Sequence, residues 1–371
     1  MKVLMILDNL SRDSGVSSIV MNLYKNINSD DIQIDFMAFS AGNNSYLDMI
    51  QEGGSDVYIL PSPLSLKSFF KSLKAIKKFF KEYSKDYDVV HLHSPTLNEF
   101  TLKYAKKNGI PNRIIHSHST MTSPNLIKKC IQIFLQRNIT KYANNFFSCS
   151  SEAAVFLYGN DFCKKNEVYI VKNAVDTEKF RYSEQQNDLF RKHFKVEDKR
   201  IAIHVSNFSQ IKNVKFLVYV LKDLVSITDN FRFIFVGDGP TKSEIENLVK
   251  ELCLQEYCIF TGRRNDVDKL LNVADVLLLP SIKEGLPVTV IEAQANGMKC
   301  FVSNSVTKEA DAGNVVYLPL IEKEWIDQLI NLNRVSTEVR IHACDKFNES
   351  EFNIINESKK LESKYISMEE G

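Results

Sequence analysis

The chain has 371 residues, of which 44% are hydrophobic and 25% charged, and its formal net charge is +1. That is the balance of a folded globular protein too long for one ordinary domain, and it excludes a polyanion binder acting through bulk charge, so nucleic acid is not an expected partner. Seven cysteines without a CxxC pair suggest neither a disulfide framework nor a zinc site, and reduced thiols in a cytosolic setting are the expectation.

The opening run MKVLMIL ends on Asp8 and reads as a first strand, not a signal peptide. No segment approaches the roughly 18 consecutive apolar residues of a spanning helix. From there short apolar runs alternate with longer amphipathic stretches. KVLMIL, IDFMAF, DVYIL, DVVHLH, NRIIHSH and NNFFSCS occupy the first 150 residues. After a polar gap come RIAIHVSN, FRFIFVG, YCIFTG, DVLLLP and KCFVSN. Strand then helix, repeated, predicts parallel sheets covered by helices on both faces. The pattern breaks near residues 173–200, which places a domain boundary at about 175–180 and gives domains of 1–175 and 176–351. The last stretch, about 352–371, reads as a terminal helix that packs back on the first domain. Two such domains make a cleft, and in open α/β sheets ligands bind beyond the carboxyl ends of the strands.

The richest stretch is PSIKEGLPVTVIEAQANG, residues 280–297, directly after the apolar run ADVLLLP. Glu284 falls in the loop and Glu292 on the helix that Pro287 begins and Gly297 ends. Helical side chains lean toward the N-terminus, so both carboxylates can address one site. Gly285 allows a tight backbone, and a helix start offers N–H groups to an anion. Two carboxylates flanking an anion site suit a nucleotide sugar. The plain alternative is a solvated helix Glu beside a loop Glu.

In HVSNFSQIKN, residues 204–213, Lys212 enters a helix and can neutralise a diphosphate leaving group, or it is an ordinary surface lysine. FVGDGP, residues 235–240, puts Gly237 in a close-approach turn, but the chain has no GxGxxG fingerprint, so a nicotinamide role is unsupported. His91 and His93 follow one strand and His116 and His118 another, each pair on one face by alternation. Such pairs can bind metal, contact a sugar, or sit as satisfied core histidines. No acidic partner motif accompanies them, and no metal or other cofactor is expected.

Residues 66–85 form a basic amphipathic helix. Leu66, Phe69, Phe70, Leu73, Ile76 and Phe80 share one face, with lysines elsewhere. Packing on the sheet explains the apolar face, and an anionic membrane surface is the further reading. Residues 1–180 carry 22 Lys+Arg against 17 Asp+Glu, a mild bias in the same direction. Two acidic triplets, Asp86-Tyr87-Asp88 and Asp266-Val267-Asp268, are taken as structural, the second as a helix cap.

Taken together, the chain resembles the retaining glycosyltransferases of family four, which have the GT-B fold: α/β, two tandem Rossmann-like domains with parallel sheets facing across a cleft. The resemblance covers nearly the whole length. Its most specific part is the E-x7-E signature, matched by Glu284 and Glu292, with VKNAVDTEKF, FVGDGP, TGRRNDV and the loop NLSRDSGVSS in support. The resemblance implies that Glu284 binds hydroxyls of the transferred sugar, Glu292 the ribose and Lys212 the diphosphate. It implies that Gly15 lets the first loop approach the phosphates and that His116 lies near the reacting sugar, with His118 as the fallback and His91 and His93 on the acceptor side. Asn207, Gly237, Arg263, Gly285, Leu286 and Pro287 complete the implied donor site. The family usually has Gly-Arg where this chain has Ser206 and Asn207, which removes a fixed positive charge.

The implied reaction is transfer of a hexose from a UDP-sugar to a glycan or polyprenyl-linked saccharide in capsule or exopolysaccharide assembly. It would proceed without a metal, in the cytosol and peripherally on the inner face of the membrane. A nucleotide-sugar epimerase of the same architecture, or a non-catalytic sugar-nucleotide-binding partner of another transferase, are the alternatives.

Overall fold

The computed structural model describes residues 1–12, 14–63, 65–94, 97–118 and 138–369. The chain forms two compact units, one of residues 1–173 with 354–371 and one of residues 174–353. The break thus falls just before the polar segment that suggested it.

The first unit holds seven strands: β1 (Lys2–Leu7), β2 (Gln33–Ala38), β3 (Val57–Ile59), β4 (Val89–Leu92), β5 (Asn112–Ser117), β6 (Asn145–Ser148) and β7 (Tyr169–Ile170). They lie in the order β3-β2-β1-β4-β5-β6-β7, and every pairing is parallel. Strands β1 and β4 are buried along almost their whole length because both faces are covered. The terminal helix Ile354–Ser367 belongs to this unit. Its Ser358 hydroxyl donates to the Leu23 carbonyl at 3.4 Å, and buried Glu357 accepts from the Lys172 N–H at 2.9 Å.

The second unit holds β8 (Arg200–Val205), β9 (Phe231–Val236), β10 (Cys258–Gly262), β11 (Val276–Leu279), β12 (Lys299–Ser303) and β13 (Val315–Leu318). Their order is β10-β9-β8-β11-β12-β13, again parallel throughout. The order reverses direction between β8 and β11, and loops leaving the carboxyl ends of strands on either side of such a point have room for a ligand. Beneath them Arg191 clasps Asp275 with two hydrogen bonds of 3.0 Å. Buried Arg340 donates to the carbonyls of Ala274 and Leu271 at 2.7 and 3.1 Å.

The basic helix runs Leu66–Tyr83, opened by a capping box between Ser65 and Ser68. Its buried stripe contains Ser72, Ile76, Phe79 and Phe80. Phe70, expected on that stripe, is instead 67% exposed. At about 100° per residue it sits roughly 120° around the helix from Ile76, outside the arc the sheet can cover. Lys67, Lys71, Lys74, Lys78, Lys81 and Lys85 are exposed. Among the described residues no helix is long and apolar enough to cross a membrane.

Candidate functional site

In the second unit the loops after β8 and β11 are fastened by backbone. The Ile282 N–H donates to the Ile211 carbonyl at 2.8 Å, and the Asn213 side-chain amide donates to the Pro280 carbonyl at 3.3 Å. In that frame Lys212, on the turn Gln210–Lys212, makes a close ion pair with Glu284. The Ser281 hydroxyl donates to the same carboxylate at 2.8 Å. The side chains of Lys212 and Glu284 are 19% and 14% exposed, so their attraction is less screened than a surface pair's. Two residues singled out separately in the sequence therefore meet.

Glu292 lies on the helix Val288–Ala295, with Pro287 at the N-cap position. Burial raises its pKa to about 7, against a smaller opposing pull from Lys179 and with a further push from Asp268. Near neutral pH this carboxyl is poised to gain or lose its proton.

Asn207 is exposed, and its side-chain oxygen accepts from the Ser209 hydroxyl at 3.3 Å. Gly237 has φ of +132°, and a Cβ there would lie 1.8 Å from the Ser206 carbonyl oxygen. This glycine is required by the packing of one loop against the next, whatever it offers a ligand. Arg263 is exposed just after β10. Gly285 is half-buried, and Leu286 and Pro287 are buried, as the loop turns into its helix.

His204, on β8, was not singled out in the sequence. It is buried, and burial holds its pKa down to about 4. Its Nδ1–H donates to the Leu278 carbonyl at 2.8 Å, which leaves Nε2 to accept from the Ser206 hydroxyl at 2.7 Å. The signal was its place inside RIAIHV, a strand buried on both faces. Asp266 occupies an N-cap position, but its carboxylate takes two bonds from Arg264, at 2.8 and 2.7 Å, in place of the expected cap. Asp88 accepts from the Lys2 N–H at 2.7 Å, a purely structural bond.

In the first unit Gly15 opens the helix Gly15–Asn26, capped by the Ser14 hydroxyl. A Cβ on Gly15 would meet nothing within 4 Å, so the fold itself does not demand glycine there.

All four candidate histidines come together at the carboxyl ends of β4 and β5. Ring centroids of His91 and His93 are 4.1 Å apart, as are those of His116 and His118. His91 Nε2 lies 3.1 Å from His116 Nδ1, and His93 Nδ1 lies 2.8 Å from His118 Nε2. His91 Nδ1 bonds the Tyr365 hydroxyl at 2.6 Å, from the terminal helix. Burial lowers the pKa of all four, that of His118 to about 4, and the like charges of neighbours act in the same direction for the other three. The rings are therefore neutral at physiological pH, each with one proton and one lone pair. Among the described residues His93 Nε2, His116 Nε2 and His118 Nδ1 have no hydrogen-bond partner. In the His93–His118 pair one proton lies between the rings and one points outward. The cluster thus holds at least one N–H and at least one lone pair without a partner among the described residues.

Comparison with known proteins gives this geometry its family. Residues 14–179 match the model described as Glycosyltransferase Family 4, and residues 185–312 match Glycosyl transferases group 1. The chain is 29% identical over 315 residues to EpsF of Bacillus subtilis, named as a glycosyltransferase, covering 84% of this chain and 81% of that one. It is 24% identical to a UDP-Gal:alpha-D-GlcNAc-diphosphoundecaprenol alpha-1,3-galactosyltransferase of Escherichia coli, covering 96% of this chain and 94% of that enzyme. The solved structure of Anabaena Alr3699/HepE with UDP-glucose superposes with a TM-score of 0.77 at 15% identity, over 99% of this chain and 100% of that one. With both sheets, the E-x7-E pair and matches across both units, the chain belongs to the family 4 glycosyltransferases of the GT-B fold.

Proposed function

We propose that this chain is a retaining glycosyltransferase that moves a hexose from a UDP-sugar to a lipid-linked saccharide or growing glycan in polysaccharide assembly. The observation that carries the reading is the meeting of Lys212 and Glu284 at the β8–β11 switch point, beside a helix bearing Glu292. Without donor, Glu284 neutralises Lys212. An arriving diphosphate competes for Lys212 with more charge than one carboxylate brings, and it releases Glu284 to accept hydrogen bonds from the sugar. Glu292, ionised, accepts from the ribose hydroxyls. Lys212 then stabilises charge on the departing diphosphate, so no metal is needed on that group. The incoming hydroxyl attacks from the face the diphosphate leaves, and a phosphate oxygen takes its proton. His116 contributes a polar contact to the reacting sugar, and His91, His93 and His118 line the acceptor side.

UDP-sugar use and a polyprenyl-linked acceptor are what the names of the Escherichia coli relative and the Anabaena structure suggest. The exposed Phe70 among lysines supports contact with an anionic membrane, where such acceptors reside. A second reading, a non-catalytic sugar-nucleotide-binding partner, is favoured by Asn207, since an amide cannot supply the charge of the family's usual arginine.

The test is nucleotide release in EDTA from UDP-, GDP- and ADP-sugars, with and without polyprenyl-linked glycans. Acceptor-dependent release of UDP, with the anomeric configuration kept in the product, supports the proposal. Binding of UDP without release across an acceptor panel favours the second reading.

A further inference from the structure

The four-histidine cluster has a second chemistry that sugar contacts do not exhaust. His91, His93 and His116 each offer one ring nitrogen, and these three atoms lie within 4.8 Å of one another. Two nitrogens bound at about 2.0–2.1 Å to one ion stand about 2.8–3.4 Å apart for octahedral to tetrahedral angles. His91 Nε2 and His116 Nδ1, 3.1 Å apart, share one proton, and moving it to the unpartnered His116 Nε2 leaves two lone pairs at a bridging separation. His93 and His116 are 3% and 4% exposed, and each carries a ring nitrogen with no partner among the described residues. Tyr365 supplies the outer contact that ligating histidines usually have: if His91 Nδ1–H donates to the Tyr365 oxygen, the lone pair of His91 is fixed on Nε2, facing His116. His118 is hydrogen-bonded to His93 and lies outside this set of three. Imidazoles without a carboxylate suit zinc and its neighbours in the first row rather than magnesium or calcium.

We infer that His91, His93 and His116 form a binding site for Zn2+-class ions in the first unit, and that its occupation inhibits transfer by withdrawing His116 from the sugar. The binding half stands on the cluster's geometry alone, and the inhibitory half rests on the role proposed above for His116. The site differs from a diphosphate-bound metal, since none of its ligands is acidic and all lie in the unit opposite in sequence to Lys212.

The experiment starts from chelator-treated full-length protein titrated with Co2+, followed by its d–d absorption and displaced by Zn2+. One equivalent should bind, and His93→Gln, checked by circular dichroism and melting temperature, should lower the affinity at least tenfold. Ring 15N resonances of the wild-type histidines, recorded with and without Zn2+, give the same answer if the variant does not fold. Absence of a stoichiometric band, or a band unchanged in the variant with the ring resonances unmoved, overturns the site. In the transfer assay equimolar Zn2+ should cut the rate at least tenfold, with recovery in EDTA. Stoichiometric binding with full activity upholds the site but overturns the inhibition and, with it, the contact of His116 with the sugar. Failure of UDP binding in separate measurements would overturn the proposed function and leave the Co2+ result standing.

Discussion

Replacing Glu292 with Gln keeps the side chain's shape and removes its charge and its titration. If the carboxylate accepts from the ribose, the exchange weakens a charge-assisted bond of about 1.5–3 kcal/mol to a neutral one of about 0.5–1.5 kcal/mol, so affinity should fall about tenfold. The pKa of about 7 makes this loss pH-dependent. At one pH unit below the pKa about a tenth of the molecules are ionised, and at one unit above about nine-tenths, so, with the protonated form binding about tenfold more weakly, the apparent affinity of the wild type should rise about fivefold from pH 6 to pH 8. Uridine, which has no titrating phosphate, is the clean probe, followed by NMR titration. Stability should move oppositely. A folded-state pKa raised from 4.5 to about 7 means that the native state holds a proton the unfolded chain releases. The associated stability is complete below pH 4.5 and is lost as pH rises through 7, so Glu292→Gln should be more stable than wild type above pH 7, by up to about 2–3 kcal/mol, and equal to it in acid. Uridine affinity that is flat from pH 6 to 8, or that keeps its slope in the variant, refutes the reasoning.

Lys212→Ala should weaken UDP at least about thirtyfold while changing uridine little, because the lost interaction is with the diphosphate; calorimetry with both ligands decides it. Asn207→Arg should tighten UDP several-fold at low salt and lose that gain at high salt, and an unchanged Kd would show that residue 207 does not reach the phosphates. Phe70→Asp should reduce co-sedimentation with anionic vesicles at least about fivefold without altering the melting temperature, since the ring is already exposed. Equal retention of wild type and variant would remove the helix from the membrane surface.

The two sheets were legible because buried parallel strands write themselves as unbroken apolar runs between amphipathic segments. The pairing of Lys212 with Glu284 was half legible: each follows a strand, but that β8 and β11 are neighbours is a fact of strand order, not of local sequence. The histidines were readable as same-face pairs within each strand, whereas their merger into one cluster depends on the register that sets His91 opposite Ile114. The bond from Tyr365 spans 274 residues and leaves no local trace. Phe70 misled because a hydrophobic residue one position off a stripe looks the same in a string of letters as one on it. Gly237 looked like a ligand's glycine, and only its contact with Ser206 shows the fold asking for it too.

The return of the terminal helix to the first unit makes residues 174–353 an uninterrupted insertion in a host whose two ends are the chain termini. Its own ends leave side by side: the Val175 N–H donates to the Phe352 carbonyl at 2.9 Å, and Val175 bridges Asn353. The insertion should therefore behave as a cassette. A short linker joining Asn173 to Ile354 would excise it without stretching the host, and the excised segment would need no rewiring to be expressed alone. Donor choice could then be exchanged between relatives by swapping one continuous piece of gene, with the histidine cluster and its tyrosine left untouched.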